Sequence, residues 1–433
     1  MTEIFTLLNN SEEFSVKFIK EQLENIKSNV EKKEIFLKNV MIKALFGTDN
    51  EKTSFIIKND IAIIFDGIIY NYNTLNTKDI EVIIDLYIKY GIEDTLEILD
   101  GIFSFVLIDY RLNTENGLDT KLYFARDPYG VKPLYILKPV QTEENISINI
   151  NEDIYALSTN KDMLNNYLDI LNKKDKHYDI EDVIPGTYSI LEQKYKVLSP
   201  WCLKRFMIPY HTNEVGLYRK IRITDELSRY YLNDAILKRS FSNSLSIKDK
   251  EVVVVVSSEM EGNIIGAIIN NNLTDDKCLK TFSISEQEEE INKIEFISNH
   301  IESNNTNIYW DNEEYDGDIH YKWEKIAKTI SEYNPNSMVL LSIGLDKLID
   351  DVLKSSLHFQ DEYKFSNFRF ILKKFLKSLY KEKICYISKI FRSYGLEIDF
   401  PFLDRNLTQY NITNNIDDIL INPIGFYGEH LLP

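Results

Sequence analysis

Two short loops carry the residue types in this chain that could do chemistry. The first, Ser257-Ser258-Glu259-Met260-Glu261-Gly262, follows a run of five valines and leads into a helical pattern. The second, Ser342-Ile343-Gly344-Leu345-Asp346-Lys347-Leu348, follows the apolar stretch Ser337–Leu341. Ligands of parallel α/β sheets sit beyond the carboxyl ends of the strands, so both loops stand where a ligand would be sought. They offer hydroxyls, glycine backbone and carboxylates. Glu259, Glu261 and Asp346 could take a divalent cation, because hard cations prefer carboxylate oxygen, or a basic peptide. The plainer reading of each is a solvated loop carboxylate. In the first half, Asp79 precedes an apolar pattern at helical spacing and reads as a helix N-cap. Arg126 and Asp127 open the turn Asp127-Pro128-Tyr129-Gly130, in which Asp caps, Pro presets φ and Gly leaves φ free, and they can brace one end of a sheet.

The elements that must position these residues change character along the chain. Up to about Lys196 it is strand-rich, with strands expected at Glu3–Leu8, Ser54–Lys58, Ile61–Phe65, within Leu99–Leu137 and at Thr187–Leu191. Helical patterns interrupt it at Ser15–Asn39 and Asp79–Tyr90. In the second of these, Ile80, Ile83, Ile84, Tyr87 and Ile88 repeat at helical spacing. Strands alternating with two helix layers make a sandwich flanked by helices. From Ile221 the pattern alternates instead. The expected order is helix Ile221–Ser240, strand Glu251–Val256, helix Asn263–Asn270, strand Lys280–Ile284, helix Glu288–Glu302, strand Thr306–Tyr309, helix Tyr321–Tyr333, strand Ser337–Leu341 and helix Leu345–Leu353. Such alternation predicts a doubly wound parallel domain. The join falls near Lys196–Pro209, giving domains 1–198 and 210–433.

Bulk properties exclude several classes. With 68 acidic against 50 basic residues the formal net charge is −18, which argues against nucleic acid, since phosphate neutralisation needs clustered Lys and Arg. Lys373, Lys374, Lys377 and Lys381 lie at helical spacing and read as a solvated helix face. The 44% hydrophobic content is enough to build cores. The three cysteines, Cys202, Cys278 and Cys385, have neither disulfide-framework nor zinc spacing and suit a reducing compartment. The first residues lack the basic flank and apolar run of a signal peptide. The longest apolar runs are strand-sized, so no membrane span is expected, and the location expected is cytoplasmic or otherwise intracellular.

Leu99–Leu137 reads LDGIFSFVLIDY, a polar loop, then LYFARDPYGVKPLYIL. This closely resembles the core of class II glutamine amidotransferases, above all glutamine-dependent asparagine synthetase, with its pattern LDGMFAF followed by ARDRxGxKPLYY. Ile184-Pro185-Gly186-Thr187-Tyr188 resembles that family's PPG(H/T)Y element, and Pro200-Trp201 lies near its YW. Gly395 to Asp404, reading GLEIDFPFLD, resembles the synthetase signature SLEVRVPFLD. The resemblance covers both halves. It implies an N-terminal Ntn-hydrolase-like αββα sandwich and a doubly wound, pyrophosphate-loop synthetase-like domain, C-terminally truncated because no KxxLRxA-like segment follows PFLD.

Carried over residue by residue, the resemblance implies two altered sites. The family begins MCGIFG and hydrolyses glutamine with its N-terminal Cys. Here Thr2 stands at the nucleophile position, and its plainer reading is a Thr at the start of a strand. The carboxylate-clamping Arg of the family's RGPD is lost in Phe46-Gly47-Thr48-Asp49. The family's NGEIYN is here Asp66-Gly67-Ile68-Ile69-Tyr70-Asn71. Asp66 and Gly67 thus stand at the oxyanion position, and an ionised Asp only accepts hydrogen bonds. Asp79 matches the Asp that holds the substrate amino group. In the second site, Ser257, Ser258 and Gly262 occupy the phosphate loop SGGxDS, and Gly344 belongs to the remnant of SGEGADELF. Glu261 and Asp346 are the remaining candidate metal ligands. Asp399 reverses the charge of the signature's Arg.

The expectation is a pseudoenzyme lacking glutaminase and synthetase activity, kept as a scaffold or assembly subunit through protein partners or self-association. No nucleic acid, membrane, small-molecule substrate or cofactor is expected. The alternative is an ATP-dependent ligase or amidotransferase of altered substrate or ammonia dependence, with Mg-ATP as its cofactor.

Overall fold

The computed structural model describes residues 3–8, 31–36, 42–48, 55–72, 78–111, 120–140, 154–171, 178–193, 202–207, 225–241, 250–258, 260–274, 277–285, 287–310, 319–343 and 378–413. The chain divides into two compact units, Met1–Pro209 with Ser244–Ser246, and Tyr210–Asn243 with Ile247–Pro433.

The first unit contains two six-stranded sheets. From edge to edge, one runs β10 (Tyr178–Asp182), β8 (Tyr135–Pro139), β9 (Tyr155–Ser158), β1 (Glu3–Leu8), β3 (Ile42–Thr48) and β2 (Glu31–Phe36). The other runs β12 (Cys202–Met207), β11 (Thr187–Gln193), β7 (Thr120–Arg126), β6 (Gly101–Asp109), β5 (Ile61–Ile69) and β4 (Phe55–Lys58). Neighbouring strands in both sheets run antiparallel.

Alternation along the strands decides what lies where. Ile4, Ala62, Ile64, Val106, Ile108, Leu122, Phe124 and Ile136 form one core cluster drawn from both sheets. On the first sheet the opposite set, Phe5, Tyr135, Leu137 and Ala156, packs against Met163, Leu164 and Tyr167 of helix α2 (Lys161–Leu171). Helix α1 (Asp79–Ile98) covers the second sheet. Its Tyr87 ring meets Tyr123 edge-on at 5.6 Å, and the Tyr87 hydroxyl donates to Asp109 Oδ2 at 2.7 Å. The layers are therefore helix, sheet, sheet, helix. The expected helix Asp79–Tyr90 ends where Gly91 takes φ 81°, a left-handed value suited to glycine, and a second helical segment continues to Ile98.

One expectation is corrected. The helix expected over Ser15–Asn39 is contradicted at Glu31–Phe36, which is a strand paired antiparallel with β3. The ladder to a neighbouring strand overrides a local helical pattern, as tertiary context commonly does. The rest of that stretch lies outside the described residues.

The second unit holds a five-stranded sheet, all of it parallel, in the order β15 (Asn304–Tyr309), β14 (Lys280–Ser285), β13 (Val252–Val256), β16 (Met338–Leu340) and β17 (Glu397–Asp399). Val253, Val254 and Val256 are buried, which suits a central strand covered on both faces. The helices are α3 (Asp225–Ser240), α4 (Met260–Asn270), α5 (Glu288–His300), α6 (Ile319–Tyr333), α7 (Cys385–Ser393) and α8 (Arg405–Thr413). The helix expected at Leu345–Leu353 lies outside the described residues. From β13 the chain winds outward to β15, then returns to the other side for β16 and β17, so direction reverses between β13 and β16. Among the described residues no helix is long and apolar enough to cross a membrane.

Candidate functional site

At one end of the sandwich the inter-sheet face turns polar. Continuing the alternation from Ile64, Val106 and Phe124, the next inward positions are Asp66, Ser104 and Arg126, and the ladder sets Asp66 opposite Ser104 and Ser104 opposite Arg126. Arg126 is fully buried and spends its guanidinium on three carbonyls. Nε donates to Lys132 at 2.8 Å, Nη1 to Val183 at 2.7 Å and Nη2 to Gly130 at 2.9 Å. Asp127 accepts the backbone N–H groups of Tyr129, Val131 and Lys132 at 3.0–3.1 Å. Burial pushes the Asp127 carboxyl above its ordinary value, outweighing Arg126 and those three amides. The bracing role expected of Arg126 and Asp127 is what these bonds perform.

The turn so clamped delivers Lys132 to the polar row. Its Nζ lies 3.5 Å from Asp66 Oδ1, with both side chains only 4% exposed. Asp66 therefore faces a cation from within the protein. Across the ladder from it, the Ser104 hydroxyl is buried without a hydrogen-bond partner among the described residues, as is that of Thr6 on β1. Gly67 has a steric reason to be glycine. A Cβ there would lie 2.2 Å from the Ile102 carbonyl oxygen, and one on Gly101 would lie 2.2 Å from that of Ile68. Asn71 ties the same corner, donating to Ile98 at 2.7 Å and accepting from the Asp100 N–H at 3.0 Å.

Asp79 is the first residue of α1; the cap position belongs to Lys78. The N-cap reading of Asp79 is therefore corrected. Its carboxylate instead accepts the Ile69 N–H at 3.2 Å, joining the helix start to the end of β5, and suits the positive end of the helix dipole. Thr2 lies outside the described residues.

In the second unit, Ser257 and Ser258 follow β13 and Met260 opens α4. The Ser258 hydroxyl donates to Glu290 Oε1, in the first turn of α5, at 3.2 Å. Asn263 donates to the Ser257 carbonyl at 3.0 Å. A Cβ on Gly262 would lie 2.6 Å from the Val255 carbonyl oxygen, so this glycine permits close packing of α4 on β13. Glu261 is half-buried. Glu259, Gly344 and Asp346 lie outside the described residues. Among the described residues no group of three or more His, Cys, Asp or Glu could hold a metal ion.

Asp399, at the end of β17, is buried and paired. Arg239 Nε lies 2.7 Å from its Oδ2, while Arg239 Nη1 and Lys238 Nζ reach Asp404 Oδ2 at 2.8 and 2.6 Å. The other Asp404 oxygen accepts the N–H groups of Asn406 and Leu407 and caps α8. Burial pushes the Asp404 carboxyl up, but Arg239 and Lys238 together hold it below its ordinary value. Sequence reasoning missed Lys132, Arg239 and Glu290 as partners. Lys132 stands within the recognised KPLY stretch and was the most findable.

Residues 50–202 match the glutamine amidotransferase domain. The asparagine synthetases (glutamine-hydrolysing) of Bos taurus and Homo sapiens are each 24% identical to this chain, over 388 and 393 residues. Each match covers 81% of this chain and 64% of the relative. The Gallus gallus asparagine synthetase is 24% identical over 418 residues, 85% of this chain and 69% of its own. The chain is thus similar to asparagine synthetases at low identity. It matches less than two thirds of the length of the bovine and human proteins. Among solved structures, the U34-tRNA thiolase NcsA from Methanococcus maripaludis, with its iron–sulfur cluster, is 12% identical and covers 52% of this chain and 75% of its own, at a TM-score of 0.28.

Proposed function

We propose that this asparagine-synthetase-like chain has lost both glutaminase and ATP-dependent synthetase activity and serves as a pseudoenzyme scaffold or assembly subunit, through protein partners or self-association. On this reading the first unit is an Ntn-like amidotransferase sandwich, the second a synthetase-like pyrophosphate-loop domain. The observation that carries it is Asp66. Where the resembling enzymes present an oxyanion-donating Asn, this chain presents a carboxylate paired with buried Lys132. An ionised carboxylate has no hydrogen to donate, and losing one oxyanion donor costs about 100- to 1000-fold in rate.

The second unit supports the same reading. A phosphate loop works through flexible glycines and bare N–H groups at a helix N-terminus. Here Ser258 occupies a glycine position and is bonded to Glu290, which sets a carboxylate beside the loop. Glu261 adds another in the first turn of α4. A triphosphate would meet repulsion, so Mg-ATP does not fit the described residues. The preserved strand–loop–helix at β13 is the one observation that favours an ATP-dependent ligase instead.

Two measurements test the proposal. Glutamine hydrolysis by the purified chain should not exceed background, and titration calorimetry with Mg-ATP should show no saturable heat. Glutamine turnover, or micromolar ATP binding with pyrophosphate release from aspartate and ammonia, overturns it. Restoring glycine at Ser258 and Glu259 should gain nucleotide binding if the loop decayed from an ancestral site.

A further inference from the structure

We infer that the polar end of the sandwich is a small-carboxylate site that the chain fills from within, with the Asp66 side chain as its internal occupant. This deepens the proposed loss of glutaminase and rests on that reading.

The cation is held before any ligand arrives. Lys132 has its backbone fixed on both sides, its N–H donating to Asp127 Oδ2 at 3.1 Å and its carbonyl accepting Arg126 Nε at 2.8 Å. Its ammonium therefore needs little reordering to meet an anion, and such preorganisation favours binding. The Asp66 carboxylate meets it with Oδ1 at 3.5 Å.

The surroundings also suit an oxyanion. Ser104 lies directly across the ladder from Asp66, and Thr6 continues the inward face of Ile4 on β1. Both hydroxyls are at most 1% exposed and have no hydrogen-bond partner among the described residues. Buried hydroxyls are ordinarily satisfied. The unsatisfied Ser104 hydroxyl, across the ladder from Asp66, leaves a donor for a carboxylate larger than, or set differently from, that of Asp66. An external carboxylate reaches Lys132 only by displacing a competitor tethered in place at high effective concentration. The wild-type chain is thus shut to such ligands by its own side chain.

The test is chemical rescue of the full chain. Asp66→Ala removes the carboxylate and leaves room for formate. Its melting temperature should fall by roughly 10 °C and recover by at least half in sodium formate, saturably, relative to sodium chloride of equal ionic strength. The wild type and Asp66→Ala/Lys132→Met should not respond to formate beyond chloride. A rescue equal in all three chains, or none in Asp66→Ala, overturns the inference. Should Asp66→Ala fail to fold, refolding in formate replaces melting as the readout. Recovery of fold in formate supports the site, and equal failure in formate and chloride overturns it. Glutamine turnover by the wild type would instead break the underlying reading and leave the rescue result standing by itself.

Discussion

The two units each bury acids against bases, and they do it differently. In the second unit four charges interlock: Lys238 and Arg239 on adjacent positions of α3 hold Asp399 and Asp404, with contacts of 2.6–2.8 Å. In the first, Asp66 and Lys132 lie 3.5 Å apart, with Ser104 across the ladder from Asp66 and its buried hydroxyl without a hydrogen-bond partner among the described residues. Buried charges recover their desolvation cost only with close geometry and further hydrogen bonds. In the tetrad, Asp404 has both: its two oxygens take Arg239, Lys238 and two backbone N–H groups. Asp399 is thus absorbed into a tight network through Arg239, whereas Asp66 faces Lys132 at a longer distance.

The largest expected effect comes from breaking the tetrad. Arg239→Met removes the guanidinium that lies against Asp399 and is hydrogen-bonded to Asp404, and should cost about 3–5 kcal/mol, the range for severing a buried pair. Urea unfolding, followed by hydrogen exchange so that each unit is read separately, checks it. A loss near that of an exposed pair, such as Lys293 with Glu289, would remove the distinction drawn between the two clusters.

Acid sharpens the comparison because the signs differ. Asp404 is held below the ordinary carboxylate value. Its contribution is fully present above the unfolded pKa of about 3.9 and is lost as pH falls through its depressed folded value. Asp127 is raised by burial. Its contribution is present below the unfolded pKa and is lost as pH rises through its folded value. Lowering pH from 6 toward 3 (~3 units, spanning the carboxylate range) should therefore weaken the tetrad while relieving the turn. Exchange rates of amides in α8 should rise before those of Tyr129–Lys132. The reverse order would contradict both assignments.

Much of the architecture was legible because its signals are local. The valine run announced β13, and Arg126-Asp127-Pro128-Tyr129-Gly130 announced a turn whose Gly130 takes φ 69°. What was illegible is held by distant partners. Strand β2 exists through its pairing with β3, so its helical pattern misled. Asp399 looked like damage until α3 supplied Arg239, and Arg239 reaches Asp404 from 165 positions away. Asp66 was read as an acceptor-only carboxylate, but its engagement by Lys132 required the fold. Gly67 and Gly262 were read as remnants of binding motifs. Both turn out to sit where a Cβ would meet a backbone carbonyl, which is reason enough for glycine whatever the chemistry nearby.

That steric reading makes Gly67 the next lever. Gly67→Ala would place its Cβ 2.2 Å from the Ile102 oxygen and 2.7 Å from Phe103 Cα, both backbone atoms. Overpacking typically costs about 1–3 kcal/mol, and a rigid backbone neighbour argues for the upper part of that range. The effect should be confined to the β5–β6 region by hydrogen exchange. A neutral substitution would mean that the strands can part there, and the polar row would be a loose end of the sandwich.

The smallest expected effect lies in the loop after β13. Ser258 is exposed, and its hydroxyl bonds to Glu290 at 3.2 Å. Hydrogen bonds and ion pairs open to water contribute little, usually below about 1 kcal/mol, and glycine adds backbone freedom to the unfolded chain at a similar scale. Ser258→Gly should therefore shift the urea midpoint slightly, by far less than Arg239→Met. A shift matching that of Arg239→Met would make Ser258 and Glu290 a structural bolt across the mouth of β13. The contrast between a tight network at β17 and an exposed loop at β13 would then fail, and the second unit would be locked on both sides of its switch point. A small shift leaves that loop as exposed surface rather than part of the core.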